Sequence, residues 1–362
     1  MAGGVSAYAA LNARVRVMYS SLIDKETFAS LGDAPDLASL IGLLKRSVYG
    51  PYIEALKEKD LTSHGLAFQI KHRLADSYQS VIYTAPQNTR PLLLQLYRYY
   101  EIANLKVVLR GIVMGPAGDH EMSLWDRVHN MLFPFGSLTV IPSEMMVETG
   151  NVASAVELLR GTHYYEVLSF AMKRYNAEQS LFPLEVALDL DYWRKLWQTT
   201  RQLLGEDQAQ ASRVVGSLVD MNNLMWAIRY RVYQQLSEEE LINYTLPFGY
   251  HVGDKDVRAI AAGADISTVV ERIYPNIPNV NSLLEEPHSS LPRLEVELKR
   301  HLMEQCMAAF IGNPFHIGVP LAYLVLSDLE IQDLTVLIEA KSLLLPDEEF
   351  MPYLLKVQAL KG

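Results

Sequence analysis

The sequence predicts an all-α protein, on three observations: apolar residues recur three and four apart over long stretches, alternating runs are nearly absent, and one helical pattern returns three times. The first observation covers residues 62–82, 91–110, 184–203, 209–236, 291–311 and 320–341, each with few glycines inside. The second leaves residues 137–142 as the best strand-like run, and it is short. Prolines and glycines gather between these stretches, at Gly115-Pro116-Ala117-Gly118, Leu132-Phe133-Pro134-Phe135-Gly136 and Leu246-Pro247-Phe248-Gly249.

The third observation carries most information. Glu101-Ile102-Ala103-Asn104-Leu105, Asp220-Met221-Asn222-Asn223-Leu224 and Glu330-Ile331-Gln332-Asp333-Leu334 share an acid, an amide or acid three residues later, then leucine. The acids stand 119 and 110 residues apart. Upstream, Asp36, Asn151 and Asp265 each place a helix N-cap residue type before an apolar helical run, 115 and 114 residues apart. Two signals in the same order with nearly the same period predict three tandem, similar helical bundles, at 1–118, 119–244 and 245–362. Pro91 leads into Glu101 as Pro320 leads into Glu330, both suited to a first helical turn, whereas Gln210 holds that place in the second copy. An unrelated helical scaffold or adaptor is the alternative, but common helical arrays repeat at roughly 34–47 residues.

On a helical wheel of about 100° per residue, the positions one, four, seven and eight after each acid share a face. They are Ile102, Leu105, Val108 and Leu109, then Met221, Leu224, Ala227 and Ile228, then Ile331, Leu334, Leu337 and Ile338. All are apolar, so this face is core. The acid lies at the edge of the stripe, as does the eleventh position after it, occupied by Ile112, Arg231 and Lys341. Two expectations follow for Glu101, Asp220 and Glu330. They bond neighbouring backbone at the margin of the core, or they meet bases such as Arg231 and Lys341 of adjacent units near an axis where the units converge.

Composition sets the limits. With 362 residues, 49% hydrophobic and 20% charged, the chain is long and apolar enough for two or three packed domains. The formal charge of -10 repels a phosphate backbone, so nucleic acid is not an expected partner. Cys306 is the lone cysteine and reads as a small buried hydrophobe. The N-terminal residues lack the basic and apolar stretches of a signal peptide, so export is not expected. Residues 307–326 are mostly apolar, but Asn313, Pro314, His316 and Pro320 interrupt them, which predicts a helix end, a turn and a new helix near Pro320 instead of a membrane span.

Reactive motifs are missing. No phosphate loop occurs, since residues 111–118 lack its lysine. His120-Glu121 has Leu124 where a zinc site needs a second histidine. No nearby carboxylate or nucleophile forms a catalytic constellation with His163, which reads as structural. Asp189 and Asp191 are expected to cap a helix starting near Tyr192, Tyr97-Arg98-Tyr99-Tyr100 to serve core and interface, and Ser237-Glu238-Glu239-Glu240 to form a solvated helix start. No catalytic residue, cofactor or metal site is expected.

The thrice-repeated acid-x-x-Asn/Asp-Leu pattern, the run Asn313-Pro314-Phe315-His316-Ile317-Gly318-Val319-Pro320-Leu321-Ala322-Tyr323 and the N-terminal Tyr8-Ala9-Ala10-Leu11-Asn12-Ala13-Arg14 resemble the C-type subunit of prokaryotic V-type and archaeal-type (A-type) ATPases, related to the d-type subunit of the eukaryotic V-ATPase. The likeness spans essentially the whole chain. It implies a funnel of three helical domains about a pseudo-threefold axis, seated on the cytoplasmic face of a membrane proteolipid ring and receiving the central-shaft subunits. Such a rotor part passes torque without catalysing anything, and couples ATP turnover to proton or sodium movement. The residues expected at inter-repeat or partner contacts are Glu101, Asn104, Arg110, Asp220, Asn223, Arg229, Arg231, Glu330, Asp333 and Lys341. Arg110 and Arg229 stand alike in two copies, but Glu339 replaces them in the third, which breaks a symmetric ring of bases.

Overall fold

In the computed structural model, the described residues are 2–57, 60–115, 123–134, 136–234, 236–284 and 287–356, and all their regular structure is helical. Pro116, Ala117, Gly118, His120, Glu121 and Phe135 lie outside them, and so does the expected boundary at 118/119. The chain opens with α1 (Ala2–Ser20), three short helices α2 (Lys25–Gly32), α3 (Leu37–Leu44) and α4 (Gly50–Glu54), and two long ones, α5 (Ser63–Thr84) and α6 (Arg90–Met114). The middle follows suit with α7 (Leu124–His129), α8 (Ser143–Glu148), α9 (Val152–Glu157) and α10 (His163–Glu178), then α11 (Phe182–Arg201) and α12 (Gly205–Arg229). The last part comprises α13 (Glu238–Asn243), α14 (Asp254–Ala261), α15 (Ile266–Ile273) and α16 (Val280–Leu284), then α17 (Pro287–Ala308), α18 (Gly318–Ser342) and α19 (Asp347–Phe350).

Local chemistry explains the recurring starts. Asp36, Asn151 and Asp265 cap α3, α9 and α15, each accepting a hydrogen bond from the backbone N–H three residues on. Pro91 and Pro320 lie in the first turns of α6 and α18, where a missing N–H costs nothing. Helix α12 starts at Gly205, so Gln210 is already inside it, where a proline would break the ladder. Ser237 and Glu240 form a reciprocal capping box on α13.

Two expectations need correction. Residues 137–142 form a turn and extended coil, not a strand; they pair with no second strand, and side chains of α5 and α6, Tyr83 and Glu101, reach them. Asp189 and Asp191 do not cap a helix at Tyr192: α11 starts at Phe182, with Pro183 in its first turn, and they lie inside it. There Asp189 bonds Lys106 of α6 and Asp191 bonds Lys195 one turn on.

The long helices form a closed circuit. Helix α5 packs on α6, α6 on α11, α11 on α12, α12 on α17, α17 on α18, and α18 returns to α5. The apolar stripes read on the wheel line this circuit: eleven of the twelve positions are buried and Met221 is half-buried. Burial of each large apolar side chain contributes about 1.5–3 kcal/mol. Close packing of this kind makes an interior of low compressibility.

Candidate functional site

The acid that recurs on the long helices α6, α12 and α18 reaches in each case from the middle of the helix to a loop that precedes a short helix. Glu101 of α6 accepts the Val140 N–H at 2.9 Å and the Tyr164 hydroxyl at 2.6 Å. Asp220 of α12 accepts three backbone N–H groups, from Tyr250 at 2.7 Å, His251 at 2.6 Å and Val252 at 3.0 Å. Glu330 of α18 accepts the Ile23 N–H and the Tyr49 hydroxyl, both at 2.8 Å. It also bonds Lys356 at 2.6 Å, with Arg73 at 3.7 Å. All three acids are buried. Their loops run into α8, α14 and α2 respectively, so each clamp holds the same kind of element.

The residue three further along makes a second bond to the same region. Asn104 exchanges two hydrogen bonds with the backbone of Phe133, at 3.0 and 2.6 Å, and Asn223 does likewise with Leu246, at 2.6 and 2.9 Å. An amide side chain suits a site that offers both an N–H and a carbonyl. Asp333 instead accepts two N–H groups, from Leu355 at 2.8 Å and Lys356 at 3.2 Å, which suits a carboxylate. Burial still pushes the Asp333 carboxyl up to about 6, against the lowering by those two bonds. Burial also raises Asp220, opposed by its three N–H donors.

Side-chain length explains how Asp220 matches the reach of the two glutamates. Its loop comes closer, and Gly249 permits the approach: a Cβ there would lie 2.0 Å from the Asp220 Oδ1 and 2.5 Å from the Val252 carbonyl oxygen. The hydroxyl donors repeat too. Tyr49 and Tyr164 each stand 13 residues after the N-caps Asp36 and Asn151, while the same count from Asp265 reaches Pro278. Asp220 therefore takes two further backbone N–H groups where the glutamates take a phenol.

The bases do not go where the sequence suggested. Arg231 and Lys341, the bases of the second of the two expectations for the acids, do not meet them. Arg231 donates to the carbonyls of Ile260, Gly263 and Ala264, at and just beyond the end of α14. The helix widens into a π segment over Tyr230–Gln234, so an α-helical wheel misplaces Arg231. Lys341 is buried, 3.5 Å from Asp347 and over the Phe350 ring at 4.7 Å. Arg110 forms a fork with Glu185 at 2.6 and 2.8 Å, and Arg229 bonds Glu295, so these two link α6 to α11 and α12 to α17. Both arginine side chains are about half exposed, which limits each pair to roughly 0–1 kcal/mol.

Sequence reasoning missed the partners Ile23, Tyr49, Arg73, Val140, Tyr164 and Lys356. The fixed 13-residue spacing of Tyr49 and Tyr164 from the N-caps was a usable signal. The shared Pro-Phe-Gly after Phe133 and Leu246 was another, marking the clamped turns. Nothing in the sequence pointed to Arg73. The arrangement is acceptor chemistry saturated by N–H, O–H and ammonium donors, and it holds elements together. His163 is half-buried and pushed down to about 4 by burial and by Arg98 and Lys195, so it is neutral at pH 7. Among the described residues, no group of three or more His, Cys, Asp or Glu is placed to hold a metal.

Comparison with known proteins agrees with this whole-chain pattern. A family model described as ATP synthase (C/AC39) subunit matches residues 11–353. The chain is similar to the C-type subunit of the A-type ATP synthase of Methanocaldococcus jannaschii, 26% identical over 356 residues, covering 97% of this chain and 86% of that protein. It is 23% identical to the protein of the same name from Methanococcoides burtonii, covering 96% and 93%. The counterpart from Methanosphaera stadtmanae is 21% identical, covering 91% and 83%.

Proposed function

The chain belongs to the ATP synthase (C/AC39) subunit family, and from that premise we propose that it is the non-catalytic rotor part joining the central shaft to the membrane proteolipid ring. In this reading, residues 1–118, 119–244 and 245–362 are three domains arranged as a funnel about a pseudo-threefold axis. Of the ten residues from Glu101 to Lys341 named above, all but Asp333 and Lys341, whose bonds stay within residues 245–362, serve contacts between repeats. The chain sits on the cytoplasmic face, turns with the rotor and passes torque that drives, or is driven by, proton or sodium movement. No helix among the described residues is long and apolar enough to cross a membrane, so attachment goes through other subunits.

One observation carries the proposal: six long helices packed in a closed circuit, with clamps of one design at Glu101, Asp220 and Glu330. A torque coupler needs stiffness and two contact surfaces, not a reactive group. Close-packed helices supply the first. Exposed apolar side chains favour the second: Met114, Leu343 and Leu344 follow or end long helices, while Leu204 and Ile311 mark the turns between them. Purification of the tagged chain from its native membranes tests the reading. Shaft and proteolipid subunits are expected in the same complex, and recovery of the chain without either would overturn the assignment.

A further inference from the structure

The six long helices leave a hollow of about 280 Å³ where they converge, and every one of them contributes to its wall. Helices α6 and α11 supply an aromatic part. Ring centroids lie 5.5 Å apart for Tyr99 and Tyr100, 5.8 Å for Tyr99 and Tyr192, and 5.0 Å for Tyr192 and Trp193. Tyr99 is 47% exposed although it stands in the middle of α6 among packed helices, because it opens onto this space.

Helix α18 supplies an acid, Asp328. It stands two residues before Glu330, and the same place is taken by Tyr99 on α6 and Leu218 on α12, so the hollow has one carboxylate of this kind and not three. Asp328 accepts hydrogen bonds from Gln332 at 2.8 Å and from the Tyr100 hydroxyl. It makes no ion pair with any described residue. The two cations in the wall, Arg229 and Lys299, both bond Glu295, and Lys299 and Lys71 of α5 reach Asp328 only through their field. Burial accordingly pushes the Asp328 carboxyl upward. The Nδ2 of Asn222, also in the wall, has no hydrogen-bond partner.

A carboxylate withdrawn from water without a counter-charge in contact is costly, by several kcal/mol for the isolated ion, and the site gains most from a cation seated directly against it. Aromatic faces select the kind of cation. They attract ammonium groups through the ring quadrupole, by about 0.5–2 kcal/mol each, and they cover alkyl carbon at the same time. A metal ion would want several oxygen ligands, and one carboxylate does not supply them. We propose that this hollow is a binding site for a small organic ammonium ion, seated against Asp328 with its carbon on the Tyr99, Tyr192 and Trp193 rings. This site is independent of the coupling role and stands whether or not that role holds.

Calorimetric titration of the full chain with tetramethylammonium chloride, against sodium chloride at equal ionic strength, tests it. The expected result is saturable binding of one ion per chain, weakened at least tenfold in Asp328→Asn and also in Tyr99→Leu, with no saturable heat from sodium. Circular dichroism of each variant confirms its fold, and Tyr99→Leu gives a second reading that leaves the acid in place. Absence of saturable binding to the wild-type chain would overturn the proposal, and so would equal affinity in the wild type and Asp328→Asn.

Discussion

The clamp on α18 differs from those on α6 and α12 in what it joins. Glu101 and Asn104 hold Val140 and Phe133, and Asp220 and Asn223 hold residues 250–252 and Leu246, so each pair grips one continuous stretch of chain. Glu330 and Asp333 grip two separate pieces, Ile23 near the start and residues 355–356 near the end. Only this junction recruits bases: Lys356 donates to Glu330 at 2.6 Å and to the Ile23 carbonyl at 2.8 Å, and Arg73 stands 3.7 Å from the same carboxylate. Where the chain is not continuous, ionic hydrogen bonds tie the pieces together. A hollow of about 1110 Å³ lies beside this seam, lined by Ile23, Glu330, Asp333, Leu355 and Lys356 among others.

Removing the acid at the seam is expected to cost most. Glu330→Ala leaves Lys356 and Arg73 without their buried counter-charge, and losing one partner of such a set costs about 3–5 kcal/mol. Glu101→Ala orphans only an N–H and a phenol, at about 1–3 kcal/mol. Urea denaturation of the two variants measures the difference, and an equal loss would show that the bases at the seam add nothing. Next, Gly249→Ala drives a Cβ into Asp220, and overpacking of this sort costs about 1–3 kcal/mol. Thermal unfolding should show that loss, with none from alanine at Gly136, which has open space around it.

Asp333 offers a smaller and pH-dependent test. Its folded-state carboxyl titrates at about 6, above the ordinary aspartate value, so the folded chain holds that proton more tightly than the unfolded one. The ionised group is thus a burden that is absent below about pH 4, grows between pH 4 and 6, and is fully present above. Asp333→Asn lacks this titration but sets an amide NH2 against one of the two N–H donors, so its stability relative to the wild type should improve by about 1–2 kcal/mol between pH 4 and pH 7. A stability difference that does not change with pH would contradict the origin given for it. Smallest of all, Arg110→Ala removes a half-exposed pair and should change stability by about 0–1 kcal/mol, measured by the same denaturation at low and high salt.

Much of this was legible beforehand, and the reasons are local. Helix period, N-cap chemistry and proline position depend on neighbours in sequence, so the long helices and the caps at Asp36, Asn151 and Asp265 could be read directly. The importance of Glu101, Asp220 and Glu330 was visible because an acid recurred at the edge of an apolar stripe. Their partners were not. Val140 and Ile23 act through backbone N–H groups, which carry no side-chain signature, and Lys356 meets Glu330 only because the ends of the chain come together. Arg231 escapes the same reading because the α-helical wheel does not hold across a π segment.

The closed circuit can be probed most directly by native-state hydrogen exchange at three amides, those of Ile23, Val140 and Val252. Each donates to the acid of its own clamp, at 2.8, 2.9 and 3.0 Å. Comparable slow exchange at all three is the expected result, with Ile23 freed selectively in Glu330→Ala. Protection at Val140 and Val252 with Ile23 exchanging at the rate of an open loop in the wild-type chain would mean that the circuit is not closed.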